Sequence, residues 1–225
     1  MKRTVSLGAC LLTSCVLQAI VVAGSSAASL PEFSKLGATL TSPLSAGFLE
    51  ANGQKVACTS GEDAGAIISP TRIELAIIYR GCEDKSLGTC TTPSLSAGEI
   101  ATRGLFGDTG YLKAESTEAG LDFSPREAGA PWMEFTCGTT SFLIGPEGSE
   151  TAIGKITPVN LSNKKFLIEF KCVAGEKQQY KKLLNKKGVV EREGELKAVI
   201  GGKAVQACLN SNVELKFTEA RELIA

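Results

Sequence analysis

The sequence predicts an all-β protein: a single-domain antiparallel sandwich or barrel, stapled by three disulfides, with little helix outside a signal peptide. Apolar residues recur at every second position in several segments, the spacing of a strand with one buried face. Gly, Pro, Asn or Asp falls in nearly every gap between those segments, as short hairpin turns require. Six cysteines (Cys58, Cys82, Cys90, Cys137, Cys172, Cys208) remain once a leader is set aside, an even number that suits an oxidising compartment.

The leader comes first. Met1-Lys2-Arg3 precedes a mostly apolar run from Val5 to Ala23 and the small residues Gly24-Ser25-Ser26-Ala27-Ala28, the layout of a secretory signal peptide. Cleavage is expected after Ala28. Ser6, Thr13, Ser14 and Gln18 interrupt the run and make it a poor hydrocarbon span, so an uncleaved anchor is the weaker alternative. Lipidation at Cys15 is a second alternative, because Leu12-Thr13-Ser14-Cys15 reads like a lipobox, although cleavage there would leave residues 16–22 as an apolar stub. Removing residues 1–28 leaves 197 residues. No Pro-, Ser- or Gly-rich linker divides them, so residues 29–225 are read as one secreted domain without a transmembrane span.

Short strands are expected near 37–42, 53–59 and 65–69. Residues 72–80 give the clearest alternation, with Ile73, Leu75, Ile77 and Tyr79 on one face and Arg72, Glu74, Ala76, Ile78 and Arg80 on the other. Further short strands fall near 97–103, 109–115, 131–137 and 151–157. Phe166, Ile168, Phe170 and Cys172 then oppose Leu167, Glu169 and Lys171. A strand near 195–200 follows, and Val213, Leu215 and Phe217 oppose Glu214 and Lys216. Helical spacing is confined to 176–185 and the last turn, 219–225. A phrase recurs at Gly65-Ala66-Ile67, Gly98-Glu99-Ile100 and Gly154-Lys155-Ile156, read as a turn or bulge glycine launching a strand. Its unequal spacings exclude a solenoid.

Cys10 and Cys15 fall within the leader, so export leaves an even set for disulfides. Six cysteines permit 15 connectivities. Cys82 and Cys90 bracket a polar, Gly-containing loop, which suggests a local bridge across a hairpin mouth. Cys58 and Cys137 end Lys55-Val56-Ala57-Cys58 and Met133-Glu134-Phe135-Thr136-Cys137 in phase with their apolar residues, so both point inward and are paired in this reading. Elimination leaves Cys172 with Cys208.

The middle of the chain carries Lys55-Val56-Ala57-Cys58, Gly81-Cys82-Glu83, Ala97-Gly98-Glu99-Ile100-Ala101-Thr102, Gly110-Tyr111-Leu112, Gly120-Leu121-Asp122-Phe123, Phe135-Thr136-Cys137 and, from Ile153 to Asn160, Ile-Gly-Lys-Ile-Thr-Pro-Val-Asn. In that order, over residues 53–160, it resembles an uncharacterised family of secreted β-rich proteins present in many paralogous copies in some soil actinobacteria. The resemblance implies export and a β fold, and no activity is known for the family. Cys172 and Cys208 lie outside the family pattern, which agrees with their pairing with each other.

Composition narrows the function. The chain has no histidine, which removes Ser-His and Cys-His triads and the usual zinc sites. The mature residues carry 22 basic and 24 acidic side chains, a net charge of −2, so no global field draws the protein to nucleic acid. Ser162 and Lys165 have Ser-x-x-Lys spacing but lack companion motifs and sit in an Asn-containing turn. Calcium loops, P-loops and dinucleotide turns are missing, so no cofactor is expected. Residues 164–203 hold eleven basic side chains against five Glu. Their doublets, Lys164-Lys165, Lys181-Lys182 and Lys186-Lys187, are a candidate patch for an anionic envelope polymer, or plain edge-blunting lysines diluted by glutamates. Trp132, after Pro131, is read as a core or interface anchor. The expectation is a non-enzymatic binding or structural protein, secreted or in the cell envelope, whose partner is such a polymer or another protein. The alternative is a histidine-free hydrolase of an extracellular polymer that uses two carboxylates among Glu99, Asp122 and Glu134, with Glu134 otherwise a solvent-facing strand position.

Overall fold

The computed structural model describes residues 29–145 and 151–225. The leader, its cleavage site and Cys15 lie outside them. Hairpins build the chain from its N-terminus. After β1 (Thr39–Leu44), β2 (Gly47–Ala51) and β3 (Gln54–Cys58) turn through Asn52-Gly53, both at positive φ, as a two-residue turn matched to strand twist demands. β4 (Ser60–Ser69) and β5 (Arg72–Arg80) form the next ladder, followed by the small pair β6 (Glu83–Asp84) and β7 (Gly88–Thr91). β8 (Leu105–Tyr111) pairs with β9 (Ala119–Pro125), and β10 (Met133–Cys137) with β11 (Thr140–Ile144). Then come β12 (Ala152–Thr157), β13 (Asn163–Phe170), a small hairpin of β14 (Lys182–Leu184) and β15 (Val190–Glu193), β16 (Lys197–Ile200), and the long β17 (Lys203–Arg221). No helix occurs among the described residues.

Eight of these strands close an antiparallel barrel in the order β1-β4-β5-β8-β9-β12-β13-β17 and back to β1. A second circuit of pairings leaves the first half of β17, runs β2-β3-β6-β7-β10-β11-β16 and returns to it. The 19-residue β17 therefore serves both circuits, its N-terminal half the second and its C-terminal half the barrel. One connected apolar core runs through both. The expected inward faces fill it: Ile73, Leu75, Ile77 and Tyr79; Phe166, Ile168 and Phe170; Val213, Leu215 and Phe217. Trp132 is a core residue, edge-on to Phe123 with ring centroids 6.5 Å apart.

Local expectations shift in informative ways. The helical segments are extended: buried Gln178 of the 176–185 stretch spends its carboxamide on the backbone N–H and C=O of Leu209, tying the segment to β17. At the C-terminus, Leu223–Ile224 pairs with Glu32–Phe33 and buries Leu223 and Phe33. The strand expected at 109–115 lies earlier, at 105–111, and that at 97–103 shrinks to Ile100–Ala101. Of the recurring glycines only Gly98 is in a turn. Gly154 sits within β12 where a Cβ would stand 2.5 Å from Ile168 Cγ2, so its role is close packing inside the barrel.

Three disulfides staple the fold, two of them differently from the sequence reading. Cys58 bonds Cys82, Cys90 bonds Cys137, and Cys172 bonds Cys208 as expected. Cys58 and Cys137 do point inward, but β3 and β10 are not neighbours, since β6 and β7 lie between them in the circuit. Cys90 is instead directly opposite Cys137 in register, and Ala57 opposite Glu83 brings Cys58 beside Cys82. The β6–β7 hairpin mouth is closed by the Cys90 N–H donating to the Cys82 carbonyl at 2.9 Å, with no covalent bond.

The β14–β15 hairpin docks on the outside of the barrel. Gly110 and Gly120 stand opposite each other on β8 and β9, and the buried Leu183 sits over the dent they leave. A Cβ on Gly120 would come within 3.0 Å of Leu183 Cδ2, Leu112 Cδ2 and the Gly154 carbonyl. Gly120→Ala is therefore expected to cost about 1–3 kcal/mol through overpacking. Urea unfolding at neutral pH measures it, and a variant as stable as the parent would refute this seat.

Candidate functional site

The six lysines nominated by the sequence occupy two elements. Lys164 and Lys165 lie at the start of β13, and Lys181, Lys182, Lys186 and Lys187 on or beside the docked hairpin. Lys165 pairs with Glu214 at 3.2 Å, Lys182 with Glu193 at 3.1 Å, and Lys181 with Glu195, whose carboxyl is thereby held below its usual range. The Lys186 ammonium lies 6.0 Å from the Tyr111 ring centroid. Only Lys164, Lys186 and Lys187 among the six lack an ion pair among the described residues. Interleaved glutamates thus neutralise half the patch locally.

The carboxylates part company. Glu99 is bound by Arg80, which also holds Glu62, and Glu134 is exposed on β10, 4.0 Å from Arg103. Asp122 is 1% exposed, on the outer face of β9, where its register partner is Asp108. Two carboxylates facing each other across neighbouring strands are the arrangement the hydrolase reading calls for. However, Asp108 accepts from Arg72 Nε and Nη2 at 2.5 and 3.0 Å and from Arg192 Nη2 at 2.8 Å. Burial pushes the Asp122 carboxyl up to about 7, with Thr151 and Arg192 pulling it down and Asp108 pushing it further up. One acid is clamped and the other sealed, so neither is presented to a substrate. Ser162 and Lys165 are both exposed, with Lys165 engaged by Glu214 rather than the serine. The donor cluster Glu50, Cys172 and Cys208 has both sulfurs in a disulfide, which removes the thiolates a metal would need.

A cleft of 380 Å³ opens where the two circuits meet, and sequence reading did not find it. Gly47 and Phe48 of β2, Thr59, and Asn210, Ser211 and Asn212 of β17 line it. At this point β17 changes partners: Asn210 pairs with Phe48 in the second circuit and Ser211 with Phe170 in the barrel. Gly47 crosses close to Ser211, since a Cβ there would stand 3.0 Å from Ser211 Oγ. Behind Ser211, inside the barrel, lies a buried polar cluster. The Ser42 N–H donates to Asp63 Oδ1 at 3.0 Å, and the Tyr79 hydroxyl approaches Ser211 without meeting hydrogen-bond geometry. Ser42 Oγ, Asp63 Oδ2, Tyr79 OH and Ser211 Oγ are all buried without a protein hydrogen-bond partner. Burial pushes Asp63 up to about 7, against the lowering Ser42 N–H and with a small rise from Glu214. The same desolvation raises the Tyr79 phenol to about 12. The signal in the sequence was Asn210-Ser211-Asn212 itself: asparagine is depleted in strands, yet two stand just before the clean alternation of Val213, Leu215 and Phe217.

Fold and site together define a disulfide-stapled, eight-stranded antiparallel barrel with a second strand circuit attached, whose three bridges suit an oxidising, extracytoplasmic environment. No family model, curated protein or solved structure matches the chain.

Proposed function

We propose that the protein acts outside the cytoplasm, secreted or in the cell envelope, as a non-catalytic binding domain for an envelope polymer. The signal-peptide layout of residues 1–28 supports export, as do the three bridges. The observation that carries the binding reading is the lining of the junction cleft, with the Asn210 and Asn212 carboxamides and the Thr59 hydroxyl instead of a paired acid and base. The cross-strand carboxylate pair, Asp108 and Asp122, is clamped by arginines and covered. Exported protein from the full-length chain, incubated with purified cell-wall polymer, is expected to cosediment and to release no new reducing ends over a day. Half-neutralised lysines carry little of that retention, so changing Lys181, Lys182, Lys186 and Lys187 to Gln is expected to alter it less than about threefold at 0.15 M salt. Soluble product would favour the carboxylate hydrolase, and a larger salt-sensitive loss in the lysine variant would move the contact to the hairpin.

A further inference from the structure

The geometry points to the junction cleft as a binding site for a neutral carbohydrate, recognised through Asn210 and Asn212; this rests on the binding reading above and names its ligand class. Asparagine gains most in turns and caps, where its side chain bonds nearby backbone. Asn210 and Asn212 do neither: they lie within the longest strand, line the cleft, and their side chains make no hydrogen bond among the described residues. Each carboxamide offers two donors and an acceptor, the complement of paired sugar hydroxyls. Ser211, between them, turns its hydroxyl the other way, into the barrel, where the oxygen is buried, so the two carboxamides share one face of β17 at the cleft.

Charge narrows the ligand. The cleft lining contains one carboxylate, Glu83, and no cationic side chain, and the Lys55 ammonium beside Phe48 is paired with Glu50 at 3.3 Å, so the cleft offers an anionic polymer no unpaired counter-charge. The half-exposed Phe48, with the Lys55 ammonium 3.5 Å from its centroid on one face, supplies an apolar edge for sugar C–H groups. A peptide adding as a strand finds no free edge at β2, which is paired along one side to β17 and along the other to β3. The volume of 380 Å³ falls in the range of small-molecule clefts, about 300–1,000 Å³, and suits a short stretch of glycan.

The test is a titration of the exported protein with the neutral hexasaccharides cellohexaose, maltohexaose, xylohexaose and chitohexaose, and with hexagalacturonate as the anionic control, followed by calorimetry and by NMR shifts. At least one neutral probe is expected to bind with Kd of about 1 mM or tighter and to shift residues 47–48 and 210–212. Asn210→Ala/Asn212→Ala is expected to weaken it about tenfold or more. The NMR map on the unaltered protein stands even if a variant folds poorly. Tighter binding of hexagalacturonate, no binding of any neutral probe, shifts confined elsewhere, or full affinity in a folded double-Asn variant would each overturn the assignment. Cosedimentation with wall polymer but no neutral-sugar binding would overturn the ligand class alone and leave the binding reading in place.

Discussion

Cys90→Ser/Cys137→Ser is expected to lose about 4 kcal/mol of stability, the chain-entropy value for cross-linking residues 47 apart. The structure gives the bond more than average leverage. β7 and β10 share only two register pairs, Thr136 with Thr91 and Cys137 with Cys90, so the covalent link holds closed one of the three two-pair seams of the second circuit. Urea unfolding should show a midpoint lowered by about 2 M at a slope of about 2 kcal/mol/M. The Cys58–Cys82 bridge closes a shorter loop, 24 residues, and its removal should cost about 3.5 kcal/mol on the same model. Thiol titration sharpens the test. With the observed pairing, the Cys90/Cys137 variant keeps two intact bridges and no free thiol. If Cys58 were joined to Cys137 and Cys82 to Cys90, the same variant would expose two thiols, and finding them would refute the connectivity.

Stability is expected to be greatest near pH 4.5–5 and to fall as pH rises toward 8. Asp63 and Asp122 carry carboxyl groups raised by burial from 3.8 to about 7 in the folded state. Between those values the folded protein retains protons that the unfolded chain has already released, so unfolding becomes more favourable with rising pH. Each group contributes on the order of 2–4 kcal/mol to that decline. Asp84, Glu118 and Glu195 have the opposite sign: hydrogen bonds and lysine partners lower them, and their contribution is lost only as pH falls below about 4.5. Asp63→Asn/Asp122→Asn should flatten the profile between pH 5 and 8 and be the more stable protein at pH 8. The amide oxygen that the first change introduces can still accept the Ser42 N–H. Urea midpoints at pH 4.5, 6 and 8 decide it, and a parent protein that gains stability steadily from pH 5 to 8 would refute the buried-acid account.

Both predictions rest on features of unequal legibility. Alternation identified the inward faces of 72–80, 166–170 and 213–217, because a half-buried strand imposes period two on its own residues. Segments whose conformation is imposed from outside were harder. Residues 176–185 read as helical, yet Gln178 bonds the backbone of Leu209, and β14 owes its place to a dent between two distant glycines. The acids divide in the same way: Glu134 is solvent-facing as its alternation indicates, whereas Asp122 is buried opposite an Asp108 that Arg192 of the docked hairpin clamps.

From the sequence alone follow an all-β fold, inward-pointing cysteines, an even disulfide set and chemistry without imidazole, since each depends on composition or on local period. Which cysteine meets which, which acids are sealed, and where a polar cleft opens were decided by tertiary structure. The physical reason is register: strand phase tells a side chain which face it occupies, but only the closure of the two circuits around β17 tells it which neighbour it will find there.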